Sequence, residues 1–237
     1  MEKIVQDLED FELPKKDSHI EKDDKSKEQI SKLLFTLYIF CEENENYENL
    51  DTLRTKFIQF FNKECRLMKL NTKKTELILE YQKQLDNGKI KQNVLLEKLL
   101  CKKPSRSISG ISSITLVMSP YPNGQSFSCK HNCYYCPNEP AHKGNNYQAQ
   151  PRSYLYHEPA VRRANRNKFK AFEQMIDRMD TLYSNGHTID KLEIIVEGGT
   201  YTEYPEEYLN DFNRDTYYAA NTSVSYTHLT LPTTPYV

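Results

Sequence analysis

The sequence predicts an α/β protein in two parts, an N-terminal helical region followed by the start of a barrel of parallel strands and helices. Three observations carry this. Apolar residues recur at helical spacing from Ile30 to Leu99, two short β-type runs (111–118 and 191–196) flank a helical stretch, and each run leads into a loop bearing Cys or Gly–Gly. Parallel α/β folds place their sites on such loops, beyond the C-terminal ends of the strands.

Residues 1–27 are rich in Lys, Asp and Glu, carry Pro14 and few large apolar groups, and predict a disordered, charged tail. The whole chain agrees in composition, since 38% apolar and 27% charged residues with a mean hydropathy of −0.78 describe a soluble protein with a disordered portion. A helical domain is expected over 28–101. Ile30, Leu33, Leu34, Leu37, Tyr38 and Cys41 form one stripe, and Leu53, Phe57, Phe60 and Phe61 a second. A third helix should follow an N-cap at Asn71-Thr72, carry Leu77, Ile78, Tyr81 and Leu85, and stop at Asn87-Gly88; a fourth carries Val94, Leu95 and Leu99. The aromatic stripe reads as a packing face, and Cys41, Cys65 and Cys101 as buried hydrophobes.

The second domain is expected over 102–222. Pro104 and Gly110 bracket a turn, and the following strand puts Ile114, Leu116 and Met118 on one face. Pro159 suits a first helical turn, and Phe169, Phe172, Ile176, Met179 and Tyr183 predict a long helix ending at Asn185-Gly186. A second strand, Leu192 to Val196, runs into Glu197-Gly198-Gly199-Thr200, where two glycines let backbone approach a ligand. Pro205 opens a last helix with Leu209 and Phe212.

Chemistry concentrates in Cys129, Cys133 and Cys136, spaced C-x-x-x-C-x-x-C, half of the six cysteines within eight residues. Three thiolates on one loop can hold three irons of a [4Fe-4S] cluster and leave the fourth without a protein ligand. S-adenosylmethionine (SAM) can chelate that iron and be cleaved by its electron. The spacing, with aromatic Tyr135 before the last Cys, resembles that of radical-SAM enzymes. A Cys3His zinc site of Cys129, His131, Cys133 and Cys136, or simple burial, stays open. No apolar run is long enough to span a bilayer and no signal peptide precedes the charged start, so a cytoplasmic, reducing setting away from membranes is expected.

Several ordered motifs together resemble the catalytic subunit of Elongator, the radical-SAM tRNA acetyltransferase (carboxymethyluridine synthase) family that modifies wobble uridine. They are 103–110 (Lys-Pro-Ser-Arg-Ser-Ile-Ser-Gly), the cysteine loop, Ser153-Tyr154-Leu155-Tyr156-His157-Glu158-Pro159, and Gly186 to Lys191 followed by Glu197-Gly198-Gly199-Thr200. The resemblance implies a cluster on Cys129, Cys133 and Cys136, and SAM against Tyr135, Gly198, Gly199 and Thr200. It also implies acetyl-CoA, the acetyl donor, near Lys191, and tRNA phosphates on Lys102, Lys103, Arg106, Arg152, Arg162, Arg163 and Arg166. It names no catalytic side chain. Partners would be tRNA and either other Elongator subunits or a second copy. Glu197 departs from the family's usual apolar residue, and the family's later barrel strands and acetyltransferase domain have no counterpart, which predicts a truncated, inactive chain. Residues 224–233 are similar to one reading frame of a transposase sequencing adapter, so 223–237 is read as an artefact. Two other functions fit the cysteines: another radical-SAM enzyme, such as a tRNA methylthiotransferase, or a non-catalytic zinc module that binds RNA.

Overall fold

A computed structural model describes residues 23–122, 125 and 128–222 of the chain. The expectations for 1–22 and 223–237 lie outside the described residues. Two compact units divide the chain, one up to Leu100 and one from Cys101.

The first unit is helical: α1 (Asp24–Glu43), α2 (Leu50–Leu67), α3 (Lys74–Asp86) and α4 (Val94–Leu100). α1 begins inside the expected tail because the Asp23 side chain accepts the Ser26 N–H and caps it. The Asn71-Thr72 cap is not formed. Instead the Glu76 carboxylate reaches back, accepting the Lys73 N–H at 2.9 Å and the Thr72 hydroxyl at 2.5 Å, so the start of α3 is satisfied from within. Leu33, Leu34, Leu37, Phe57, Leu77, Leu96 and Leu99 are fully buried together. Each such side chain contributes about 1.5–3 kcal/mol. Phe40 joins this core, stacked on Phe60 and edge-on to Phe57, so the aromatic stripe is a packing face. Cys41 lies in the same core, where burial pushes its thiol up to about 12.

The second unit is α/β. A 3-10 turn (Pro104–Ser107) leads to β1 (Ser112–Val117), and α5 (Pro159–Arg166) and α6 (Ala171–Ser184) lead to β2 (Leu192–Glu197), with α7 (Glu206–Thr222) last. The strands pair in parallel, Ser112 opposite Leu192 and Val117 opposite Glu197. Ile114, Leu116 and Met118 face α6 and α7, among Met175, Met179, Leu182, Phe212 and Ala219. Val117 faces the other way, onto Val161, Ala164 and Phe169 of the α5 side.

The helix expected from Phe169 to Asn185 is α6, which begins two residues later at Ala171, so Phe169 lies outside it. Lys168 and Phe169 adopt left-handed backbone, φ 51° and 57°, which ends α5 and swings Phe169 under the opposite sheet face. The outer edge of β1 is closed by side chains. Gln174, fully buried, gives Val117 both bonds a neighbouring strand would give, 3.0 Å from its N–H and 2.9 Å to its carbonyl, and Arg163 donates to the Thr115 carbonyl. The sheet has two strands among the described residues, and a closed barrel takes more. No helix among them is long and apolar enough to cross a membrane.

Candidate functional site

The site grows from the C-terminal ends of the two strands. Past the last ladder bond, Met118 N–H to the Glu197 carbonyl at 2.7 Å, one chain leaves toward Cys129 and the other through Gly198-Gly199-Thr200. They meet again at once. A Cβ on Gly199 would sit 2.3 Å from the Ser128 carbonyl oxygen, so only glycine lets the two backbones come this close. A Cβ on Gly198 would fall 2.7 Å from the Tyr204 hydroxyl and 2.8 Å from Cε of Met118.

This contact delivers Thr200 to the cysteines. Its Oγ1 lies 3.5 Å from Cys129 Sγ, and that hydrogen bond, outweighing the effect of burial, holds the Cys129 thiol below its usual range. Cys133 and Cys136 close a tight turn through Cys136 N–H to the Cys133 carbonyl, 3.1 Å, and Ser153 Oγ lies 3.1 Å from Cys136 Sγ. Tyr135 stands over the loop, 86% exposed; a hydrogen bond to Cys133 and the charges of Cys133, Cys136 and Cys129 push its hydroxyl up. All six cysteines are free thiols. Lys130 pairs with Glu203 at 3.0 Å, a second tie between the cysteine loop and the turn after the glycines.

The donor set suits an iron–sulfur cluster in kind: three free thiols on one loop, each with a hydroxyl beside it, Thr200 at Cys129, Tyr135 at Cys133 and Ser153 at Cys136. The described residues hold no group of three or more His, Cys, Asp or Glu side chains gathered as ligands of a metal ion. A tetrahedral zinc site requires its ligands on one point, whereas cluster thiolates each take a separate iron.

The predicted cations divide. Arg152 is 7% exposed, its backbone N–H donating to Ser128 Oγ and its guanidinium to Asn132 Oδ1, both at 2.9 Å; it braces the cysteine loop from inside and is no surface cation. Arg163 is likewise drawn in, bonded to β1, and burial pulls its pKa down. Arg166 is exposed and paired with Asp177 at 2.9 Å, and Arg162 is exposed. Lys102, Lys103 and Arg106 sit at the other end of the sheet, where the buried His187 has its Nδ1 2.9 Å from Ser107 Oγ, meets the Lys102 backbone and feels the charges of Arg106 and Arg178. Lys191 is at that end too. Its carbonyl receives the Ser112 N–H before β2 begins, so strand length puts it roughly 20 Å from the glycine pair.

Sequence reasoning missed Ser128 and Tyr204 as parts of this site, and marked Glu197 only as a departure from the family's apolar residue. Tyr204 is buried, with its hydroxyl accepting the Gly199 N–H at 3.1 Å and the Ser128 side chain against it. Only its place directly after the glycine motif could have flagged it. Burial, then Glu158, pushes the Glu197 carboxyl up, against the pull of Arg163.

No family model matches the chain. It is homologous over about half its length to curated proteins of one kind. Against Elongator complex protein 3 of Schizosaccharomyces pombe it is 35% identical over 118 residues, 50% of this chain and 21% of that protein. The human Elongator complex protein 3 is 35% identical over 124 residues, 52% of this chain and 22% of that protein. A tRNA uridine(34) acetyltransferase from Dehalococcoides mccartyi is 34% identical over 120 residues, 51% and 23% respectively. The matched part spans about a fifth of the length of these relatives, 21–23%.

Proposed function

We propose that this chain carries the start of the radical-SAM domain of a tRNA-modifying acyltransferase acting on wobble uridine. One observation supports this above the others: Gly199 and Thr200 lie directly on Ser128 and Cys129, so a cluster and a SAM molecule held by these two motifs would share one site. In this reading Cys129, Cys133 and Cys136 hold a [4Fe-4S] cluster, and Tyr135, Gly198, Gly199 and Thr200 hold SAM. A cluster held by these thiols would supply the electron for SAM cleavage. The chain's own part is to hold the thiols on one short loop, to polarise Cys129 through Thr200, and to bring the glycine pair directly against that loop. No side chain among the described residues is assigned as catalytic.

The substrate follows from the relatives, one of which is named for acetylating uridine 34 of tRNA. In this reading exposed Lys103, Arg106 and Arg162, with half-buried Lys102, would contact the tRNA phosphates. Arg152 and Arg163 are better suited to bracing the site, and Arg166 is shared with Asp177. Acetyl-CoA binding at Lys191 would lie at the far end of the sheet, so the donor would be handled apart from the cluster. Two strands among the described residues supply one wall of such a site, and we expect these residues alone not to turn over. A division into a helical part on the tRNA side and a radical-SAM part from residue 102, assembly with other Elongator subunits or a second copy, and a cytoplasmic setting complete the proposal.

Anaerobic reconstitution with iron and sulfide tests it. A brown chain holding about four irons is expected, lost on Cys129→Ser, Cys133→Ser or Cys136→Ser. A colourless chain binding one zinc through the same cysteines would replace this reading with a zinc-dependent RNA-binding module.

A further inference from the structure

Where the two strands end, two tyrosines four residues apart each offer a hydroxyl to one of the departing chains. Tyr204 Oη accepts the Gly199 N–H at 3.1 Å, and Tyr208 Oη accepts the Ser119 N–H at 2.8 Å. Continuing the register from Val117 opposite Glu197 sets Ser119 opposite Gly199, so the two bonds act at one level, one step beyond the ladder. The rings form a unit, stacked with centroids 5.5 Å apart and 23° between planes, and Tyr208 leans on Phe212. The Ser128 side chain, next to Cys129, rests against the Tyr204 hydroxyl.

Packing alone does not call for these hydroxyls. A phenylalanine pair would fill the same space and stack as well, without burying two polar oxygens that cost free energy unless bonded. Here each is bonded to a backbone amide that has left the sheet and has no strand among the described residues to receive it. Gly198 completes the fit, since any side chain there would strike the Tyr204 hydroxyl at 2.7 Å. Burial pushes both hydroxyls up to about 12, so they stay protonated at any working pH and keep a proton to donate in turn.

We infer that Tyr204 and Tyr208 are positioning residues whose hydroxyls fix how the cysteine loop stands against the glycine pair as the two chains leave the sheet. The hold on Cys129 stands on the contacts above. Its consequence, that a cluster on the loop and a ligand on the glycines meet at a set distance, rests on the proposed function.

Alkylation of the metal-free chain by iodoacetamide, with each cysteine followed by mass spectrometry, tests the hold. Tyr204→Phe, Tyr208→Phe and the double variant keep the rings and remove only the hydroxyls. Cys129, 9% exposed, should react more slowly than Cys133 in the unsubstituted chain. In the double variant its rate relative to Cys133 should rise roughly tenfold, the order expected when a buried amide loses its acceptor. An unchanged ratio in all three variants overturns the inference. So does a rise of Cys129 in step with Cys101, because that reports a general opening of the unit. A second readout addresses the consequence. After reconstitution the double variant should keep its iron but lose the change in the cluster's electron paramagnetic resonance signal on adding SAM; an unchanged response overturns the positioning role. If no variant and no parent chain binds iron, the proposed function fails while the alkylation ratio still decides the hold.

Discussion

At the C-terminal end of the two strands the chain presses backbone against backbone, whereas at the N-terminal end it gathers cations around a buried imidazole. The first end is closed by glycines: Gly199 touches the Ser128 carbonyl, the hydroxyls of Tyr204 and Tyr208 take up the N–H groups the ladder leaves open, and that of Thr200 meets the Cys129 thiol. The second is polar and charged, with His187 against Ser107 and under the influence of Arg106 and Arg178. Close approach without side chains suits a site that must admit a ligand and a set of thiols together. Spread cations suit a polyanion. The same six-residue strands thus carry two unlike surfaces on their two ends.

The largest expected effect breaks the first end. Gly199→Ala puts a methyl group 2.3 Å from the Ser128 carbonyl oxygen, a backbone atom that cannot swing aside, so the cysteine loop must move off the strand end. Overpacking of this kind costs about 1–3 kcal/mol and at times more, and iron uptake should fall with it. Gly110→Ala is the comparison: its added Cβ meets nothing within 4 Å, so only the left-handed φ of +73° is at issue, about 1 kcal/mol. Thermal melting of both variants, with iron content after reconstitution, separates the two. Equal losses would mean that the Ser128 contact is not what makes Gly199 necessary.

How much of this could be read from the sequence follows from what each feature depends on. The meeting of the cysteine loop and the glycine pair was legible, because both follow directly on β-type runs and parallel strands end side by side. The strand face of Ile114, Leu116 and Met118 was legible from alternation alone. Phe169 was not. Its spacing to Phe172 and Ile176 continues a helical stripe, and no Gly or Pro marks the left-handed turn at Lys168 and Phe169 that sends it to the other face. The buried arginines were hidden for a related reason. Arg152 and Arg163 look like surface cations in composition, and only the fold shows that one is bonded to Asn132 and the other to Thr115. Tyr204 and Tyr208 carry no mark in the sequence, since a hydroxyl's partner cannot be seen in a one-dimensional pattern.

The next effect sharpens the second end. Burial chiefly, with Arg106 and Arg178 adding to it, draws the His187 pKa below its ordinary 6.5. A group whose folded pKa is depressed stabilises the fold above the unfolded value and loses that contribution as pH falls through the folded value. Stability of the second unit should therefore drop between pH 7 and pH 5, and His187→Gln should flatten that part of the profile in chemical denaturation followed at each pH. If the profile keeps its slope in the variant, the acid sensitivity belongs to another group.

The smallest expected effect tests whether the first end tolerates charge. Glu197 stands at the last rung of the ladder, and its carbonyl takes the Met118 N–H whatever its side chain does. Its carboxyl is pushed above the ordinary 4.5 by burial first and by Glu158 second, against the pull of Arg163. A raised carboxyl pKa means the folded chain binds that proton more tightly than the unfolded one. The resulting stability is fully present below about pH 4.5 and is lost as pH rises through the folded value, so at pH 7 the ionised side chain is a liability. Glu197→Gln keeps the shape and removes the charge. Its melting temperature should exceed that of the parent at pH 7 and match it near pH 4. A lower melting temperature at pH 7 would show that attraction to Arg163 outweighs burial, and that this end of the sheet, like the other, is organised by charge.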